Sequence, residues 1–211
     1  IFSKTSLKMV QVTGAGIDRL DQDFCARNNI KVCNVLGASA KSVAEYCIFA
    51  ALTISRRLSK TTDEILSGNY KELRGNIIQD RMFSLSGLTL GVIGFGSIGQ
   101  ETAKMFSALG CQIQYYDPSD PKVAENLSQI AVKNGKEELL RTSDIISIHV
   151  PLIDQTKNLI SMQEFSLMKK TSILLNASRG GVVDEHALYQ AIQYKKIKGA
   201  AIDVFTSEPP E

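Results

Sequence analysis

One short stretch constrains the fold more than any other. The apolar run carrying Leu88, Leu90, Val92 and Ile93 passes directly into Gly94-Phe95-Gly96-Ser97-Ile98-Gly99, and a helical pattern starts at once. A strand that turns sharply into a helix needs the first glycine for the turn. The second leaves room for a ligand to approach the helix N-terminus, and the third lets helix and strand pack closely. Backbone N–H groups at such an N-terminus attract a phosphate. Eighteen residues beyond Gly99, Asp117 closes the next predicted strand, where a carboxylate can accept hydrogen bonds from ribose hydroxyls. Together these features predict a dinucleotide site at Gly94, Gly96, Gly99 and Asp117. The charge of Asp117 repels a 2′-phosphate, which favours NAD over NADP. Methyltransferases with an adenosyl cofactor share a glycine loop and a ribose-binding acid, and form the rival class.

From residue 88 to 203, short β-rich runs alternate with helical patterns. That alternation predicts a doubly wound α/β fold of the Rossmann type, a parallel sheet with helices on both faces. Strands are expected over 88–93, 112–116, 130–132, 145–150, 172–176 and 199–204, with helices near 98–109, 136–141, 162–168 and 185–194. The crossovers between them should be right-handed. Upstream, a strand over 9–12, a helix over 17–28 and a strand over 31–34 make a βαβ unit too small for a complete domain. A long helix follows, with Val43, Cys47, Ala50, Ala51, Ile54 and Leu58 at helical spacing and Ser42 with Glu45 as a capping box. Residues 67–86 hold Gly68 and Gly75, mixed charge and no period, and read as an exposed arm or long loop.

Composition narrows the function classes. With 211 residues, 44% hydrophobic and 22% charged, the chain can bury a sizeable core without disulfides, and disordered or fibrous classes drop out. The net charge of +2 is spread over dispersed Lys and Arg, so no nucleic-acid stripe is expected. Cys25, Cys33, Cys47 and Cys111 are spaced 8, 14 and 64 apart, which matches no metal or redox pattern. A reducing, cytoplasmic setting without a metal site is the simpler expectation. No apolar run reaches the roughly 18 residues that span a membrane. The chain opens on Ile1 without a charged-then-apolar leader and closes on Glu211, which predicts a piece cut from a longer protein.

From Leu7 onward the chain resembles the D-isomer-specific 2-hydroxyacid dehydrogenases, the family that includes phosphoglycerate dehydrogenase and the glyoxylate and hydroxypyruvate reductases. The resemblance rests on Gly14-Ala15-Gly16-Ile17-Asp18, Ser42-Val43-Ala44-Glu45, the glycine turn, and Ser147-Ile148-His149-Val150-Pro151-Leu152. It continues through Asn176-Ala177-Ser178-Arg179-Gly180-Gly181-Val182-Val183-Asp184 and Ala201-Ile202-Asp203-Val204-Phe205, followed by Glu208-Pro209. It implies NAD as cofactor, a 2-oxo or 2-hydroxy acid as substrate and a homodimer. It also implies a partial flavodoxin-like substrate domain over 1–38 and an NAD-binding domain over 39–211. A regulatory relative that senses NAD without needing catalysis is the alternative.

The resemblance implies catalytic roles for Arg179 and Glu208. A guanidinium suits the substrate carboxylate and the carbonyl oxygen on which charge develops. Glu208 would hold a proton-donating His and raise its pKa, and in the family pattern that His follows Glu211. Ala15 and Gly16 would offer backbone N–H groups to the substrate carboxylate. Ser97 and Ile98 would meet the pyrophosphate, His149, Val150 and Pro151 the adenosine side, and Thr156 the phosphates. Ala177 and Ser178 would lie under the nicotinamide and Asp203 by its carboxamide. Thr156 also reads as a plain helix cap, Asp203 as a strand-end turn residue, and Ala15-Gly16 as an ordinary turn. His186 reads as a helix-terminal surface residue.

Overall fold

A computed structural model describes residues 7–80 and 84–210, apart from 15, 18 and 19. The first elements are β1 (Met9–Gln11), α1 (Gln22–Arg27) and β2 (Lys31–Cys33), with the two strands paired in parallel. The helix expected over 17–28 is shorter because Asp21 caps it, its side chain accepting the Phe24 N–H at 2.8 Å.

Next comes α2 (Ala40–Arg56), which leads into α3 (Leu58–Leu66) and α4 (Tyr70–Asp80). Arg57 takes a left-handed conformation, φ 50°, and ends α2 with its N–H on the Ile54 carbonyl. Leu58 therefore belongs to α3 and is exposed, not on the buried face of the long helix. The Ser42–Glu45 capping box is also corrected. Helix α2 starts one turn earlier than that motif requires, and the Ser42 hydroxyl donates instead to the Ser39 carbonyl at 3.0 Å. Residues 67–86 are likewise not one long loop, since α4 occupies most of the stretch. Gly75 and a short apolar complement hide that helix from periodicity: Leu73 is its buried hydrophobic residue.

The rest of the chain alternates: β3 (Thr89–Ile93), α5 (Ser97–Ala108), β4 (Gln112–Tyr116), α6 (Glu125–Ser128), β5 (Ala131–Lys133), α7 (Lys136–Thr142), β6 (Ile145–Ile148), α8 (Met162–Leu167), β7 (Ile173–Asn176), α9 (Glu185–Gln193) and β8 (Gly199–Ile202). The six strands are parallel in the order β5-β4-β3-β6-β7-β8, the doubly wound Rossmann arrangement. Successive strand residues point to opposite faces, and both faces are buried. Ile145, Ile173 and Leu175 pack with Cys47 and Ala51 of α2 and Phe106 of α5. Ile146, Ile148 and Leu174 pack with Leu139 of α7, Phe165 of α8 and Leu188 of α9. Each buried Ile, Leu or Phe side chain here contributes about 1.5–3 kcal/mol by leaving water.

Strands β6 and β8 stop two residues earlier than the apolar runs that predict them. Their neighbours run out at the same level: Ile148 pairs with Ile93 and Asn176, and Ile202 pairs with Asn176. Residues 149–150 and 203–204 are thereby freed to line the sheet's C-terminal edge. Among the described residues, no helix is long and apolar enough to cross a membrane.

Candidate dinucleotide and substrate site

The chain crosses the sheet once, from β5 at one edge to β6 beside β3, and the crossover opens a crevice at the C-terminal ends of β3 and β6. The glycine turn sits in it. Gly94 has φ +89°, and a Cβ there would lie 2.6 Å from the His149 carbonyl oxygen. A Cβ on Gly99 would lie 2.1 Å from the Gly94 carbonyl oxygen, so α5 rests directly on the turn. Gly96, the residue before α5, has open space where a Cβ would be. Two of the three glycines thus serve packing, and the third keeps the helix N-terminus clear. That cradle fits a pyrophosphate.

Asp117 follows β4 and is buried. Its Oδ2 accepts the Phe95 N–H at 2.7 Å, and its Oδ1 accepts the Ser119 N–H at 2.8 Å and the Ser119 hydroxyl at 2.6 Å. Burial pushes this carboxyl up, but the Ser119 and Phe95 donors outweigh it and hold it below the usual carboxylate value.

A cavity of about 950 Å³ lies between the β1–β2 unit and the sheet edge. Gly16 and Ile17 line one wall, Ile98, His149, Val150 and Pro151 the middle, and Ala177, Ser178, Arg179 and Glu208 the other wall. Ala15 lies outside the described residues. Ser97 borders a second cavity with Gly96 on the outer side of α5. Ser39 and Val43, from the start of α2, also line the main cleft, as do Phe205 and Thr206. Sequence reasoning missed these four as site residues. The available signal was Val43 itself, which extends the apolar stripe of α2 one turn past Cys47.

Asn176 shapes the loop that presents Arg179. Its side chain accepts the Ser178 N–H at 3.1 Å and the Ser178 hydroxyl at 2.7 Å, and donates to the Arg179 carbonyl at 3.2 Å. Arg179 Nη1 donates to the Ser178 carbonyl at 2.7 Å. A Cβ on Gly180 would lie 1.9 Å from the Phe205 carbonyl oxygen, so this loop packs against the segment that carries Glu208. That segment is tied to α9, because Thr206 donates its N–H and its hydroxyl to Glu185 Oε1 at 2.6 and 2.8 Å. Glu208 is exposed and accepts the Phe205 N–H at 3.4 Å.

His149 Nε2 lies 2.9 Å from the Ser147 hydroxyl, which in turn lies 3.6 Å from Cys47 Sγ. Burial lowers the imidazole pKa to about 4, so the ring is neutral near pH 7. Burial also pushes the Cys47 thiol up to about 11, with the Ser147 hydrogen bond lowering it and Asp203 raising it. Asp203 is exposed just past β8, its N–H on the Asn176 carbonyl at 3.0 Å. The Thr156 hydroxyl donates to the Pro151 carbonyl at 2.6 Å and accepts the Ile153 N–H at 2.8 Å, closing the 151–156 turn. Thr156 is therefore no helix cap; α8 is capped by Ser161, with Glu164 completing a capping box. His186 is exposed, 2.9 Å from the Gln190 amide nitrogen. Among the described residues, no group of three or more His, Cys, Asp or Glu could hold a metal.

A six-stranded parallel sheet in this order, with an open glycine turn at its switch point and a buried acid after the second strand, defines a dinucleotide-binding domain. Residues 48–211 match the NAD binding domain of the D-isomer specific 2-hydroxyacid dehydrogenases, and the chain belongs to that family. A D-3-phosphoglycerate dehydrogenase of Methanocaldococcus jannaschii is 39% identical over 97% of this chain and 38% of its own length. A hydroxypyruvate reductase of Thermotoga maritima is 38% identical over 97% of this chain and 64% of its own length. The chain thus spans between about two fifths and two thirds of these relatives. The crystal structure of an Aquifex aeolicus D-lactate dehydrogenase with NAD and lactic acid superposes with a TM-score of 0.84 at 36% identity, covering 96% of this chain and 59% of that one.

Proposed function

We propose that the whole protein interconverts a small 2-oxo acid and its D-2-hydroxy acid, using NAD. The observation that carries this reading is that Arg179 lines the same cleft as Ile98 of the glycine turn. When bound, NAD accepts or supplies the hydride at its nicotinamide. The turn at Gly94, Gly96, Ser97, Ile98 and Gly99 binds the pyrophosphate, and Asp117 binds the adenosine ribose and excludes a 2′-phosphate. His149, Val150 and Pro151 line the adenosine side, and Thr156 shapes the turn beside the phosphates. Ala177 and Ser178 support the nicotinamide, and Asp203 orients its carboxamide.

Arg179 binds the substrate carboxylate and stabilises the charge that grows on the carbonyl oxygen. Ala15 and Gly16 offer backbone N–H groups to the same carboxylate, and Glu208 holds the proton donor. Neither His149 nor His186 takes the donor role. The first is bonded to Ser147 and stays neutral, and the second is exposed beside Gln190. We read residues 1–38 as part of a flavodoxin-like substrate domain and 39–211 as the cofactor domain. Exposed Phe49, Leu52, Ile65 and Leu66 on α2 and α3 support a homodimer. Four free cysteines among the described residues support a reducing cytoplasmic compartment.

The test is NADH oxidation by the full-length protein with a panel of small 2-oxo acids. At least one acid should be reduced. Arg179→Ala should lower kcat/KM by about 10²–10³-fold while NADH affinity stays within about twofold. Equal turnover by the variant would overturn the reading.

A further inference from the structure

Gln100 follows the third glycine of the turn and lies in the first turn of α5. Its side-chain amide reaches two separate segments. Nε2 donates to the Phe95 carbonyl and to the Lys122 carbonyl, both at 2.9 Å, and Oε1 accepts the Ala124 N–H at 3.0 Å. Phe95 is also the residue whose N–H donates to Asp117 Oδ2. Both polar groups of the Phe95 backbone are therefore spent on the acid and on the residue that clamps the segment after it. Residues 121–124 have no helix or strand of their own and lead into the single turn of α6. No sheet ladder holds them, so the two Gln100 bonds to Lys122 and Ala124 tie them to α5, while the third anchors the amide on the glycine turn.

We propose that Gln100 is a positioning residue of the cofactor site, setting the pocket for the adenosine ribose by clamping residues 118–124 against the glycine turn. The proposal rests on the reading of Asp117 as the ribose-binding acid. Without the clamp, the Lys122 carbonyl and the Ala124 N–H turn to water and the segment swings outward. Ser119 moves with it, and Ser119 supplies two of the three donors that orient Asp117. The dinucleotide must then order the segment as it binds, which weakens affinity.

The experiment is a double-mutant cycle on NADH binding, followed by fluorescence, with Gln100→Leu, Asp117→Ala and the pair combined. A parallel cycle uses Ala124→Pro, which removes the N–H that Gln100 accepts and sets the ring Cδ against Gln100 Oε1 in its place. The Ala124 φ of −62° already suits proline, so this variant probes the clamp even where Gln100→Leu folds poorly. Gln100→Leu should weaken NADH by about tenfold and Ala124→Pro by about threefold. In the Asp117→Ala background either change should cost less than about twofold, because both act through the acid. Two results overturn the role of Gln100 alone: wild-type affinity in both clamp variants, or the same loss with and without Asp117. Wild-type NADH affinity and NAD:NADP preference in Asp117→Ala would overturn the ribose reading, and this proposal with it.

Discussion

The backbone N–H of Phe95 donates to Oδ2 of Asp117 at 2.7 Å, so the residue between the first two glycines is bonded to the acid that closes the second strand of the dinucleotide fold. The bond fixes the carboxylate beside the glycine turn. Ser119 holds the other oxygen, and the net effect is a carboxyl kept ionised at neutral pH. In the ribose site proposed for Asp117, a fixed negative charge would discriminate against a second phosphate on the ribose. Asp117→Ser should shift the ratio of NADP to NAD dissociation constants toward NADP by about tenfold or more. Titrating both cofactors into the two proteins checks this, and an unchanged ratio would remove Asp117 from the ribose site.

The glycines of the turn separate stability from binding. Gly99→Ala places a Cβ 2.1 Å from the Gly94 carbonyl oxygen, a backbone atom that cannot swing aside, with Val92 Cγ1 also close at 3.1 Å. It should cost roughly 1–3 kcal/mol in denaturant unfolding. Gly96→Ala meets no atom within 4 Å and keeps an ordinary φ of −74°. Its stability should change by less than about 0.5 kcal/mol. NADH affinity should nevertheless fall at least about tenfold, because the methyl group enters the space the pyrophosphate needs. A Gly96→Ala protein that binds NADH normally would show that the open cradle holds something else.

The centre of the sheet was legible because both faces of β3, β6 and β7 are buried, so these strands read as mostly apolar runs closed by a turn. Leu174 and Leu175 illustrate this, one packed on each side. The glycine turn was legible for a different reason: its residue types are dictated by backbone geometry at Gly94 and Gly99. Helix α4 was hidden because it buries little apolar surface, and Gly75 breaks the pattern further. Gln100 escaped notice because its function comes from contacts with Lys122 and Ala124, more than twenty residues away. Periodicity carries no information about such pairings. The meeting of Gly180 with Phe205 was equally invisible, although both lie in segments that carry the family resemblance.

Glu185 and Thr206 bind the segment carrying Glu208 to the start of α9. Thr206→Val removes the 2.8 Å hydroxyl bond and keeps the N–H bond, with little change in shape. In the full-length protein it should lower kcat by about three- to tenfold. NADH affinity should stay within about twofold, because the lost bond runs to Glu185 of α9 and not to the glycine turn. Glu185→Ala removes both bonds and should lower kcat further. Steady-state kinetics with NADH titrations on the same samples check the split, and equal losses in affinity and kcat would mean the segment serves cofactor binding instead.

His149 gives the fold a pH dependence of its own. The unfolded imidazole titrates near 6.5, whereas burial lowers the folded value to about 4. Above pH 6.5 the ring is neutral in both states and its environment costs nothing. As pH falls below 6.5 the unfolded chain takes up a proton that the folded chain refuses, so stability declines. The loss reaches about 3 kcal/mol at pH 4 and levels off once the folded ring also protonates. Asp117 and Glu164 have lowered values instead, so their stabilisation is present above the ordinary carboxylate range and is lost only as pH falls below it. The windows for the imidazole and the carboxylates are therefore separate. Urea unfolding between pH 4.5 and 7.5 should show the decline in wild type and a markedly flatter profile in His149→Asn. Parallel profiles would mean that the folded ring accepts its proton as readily as the unfolded one.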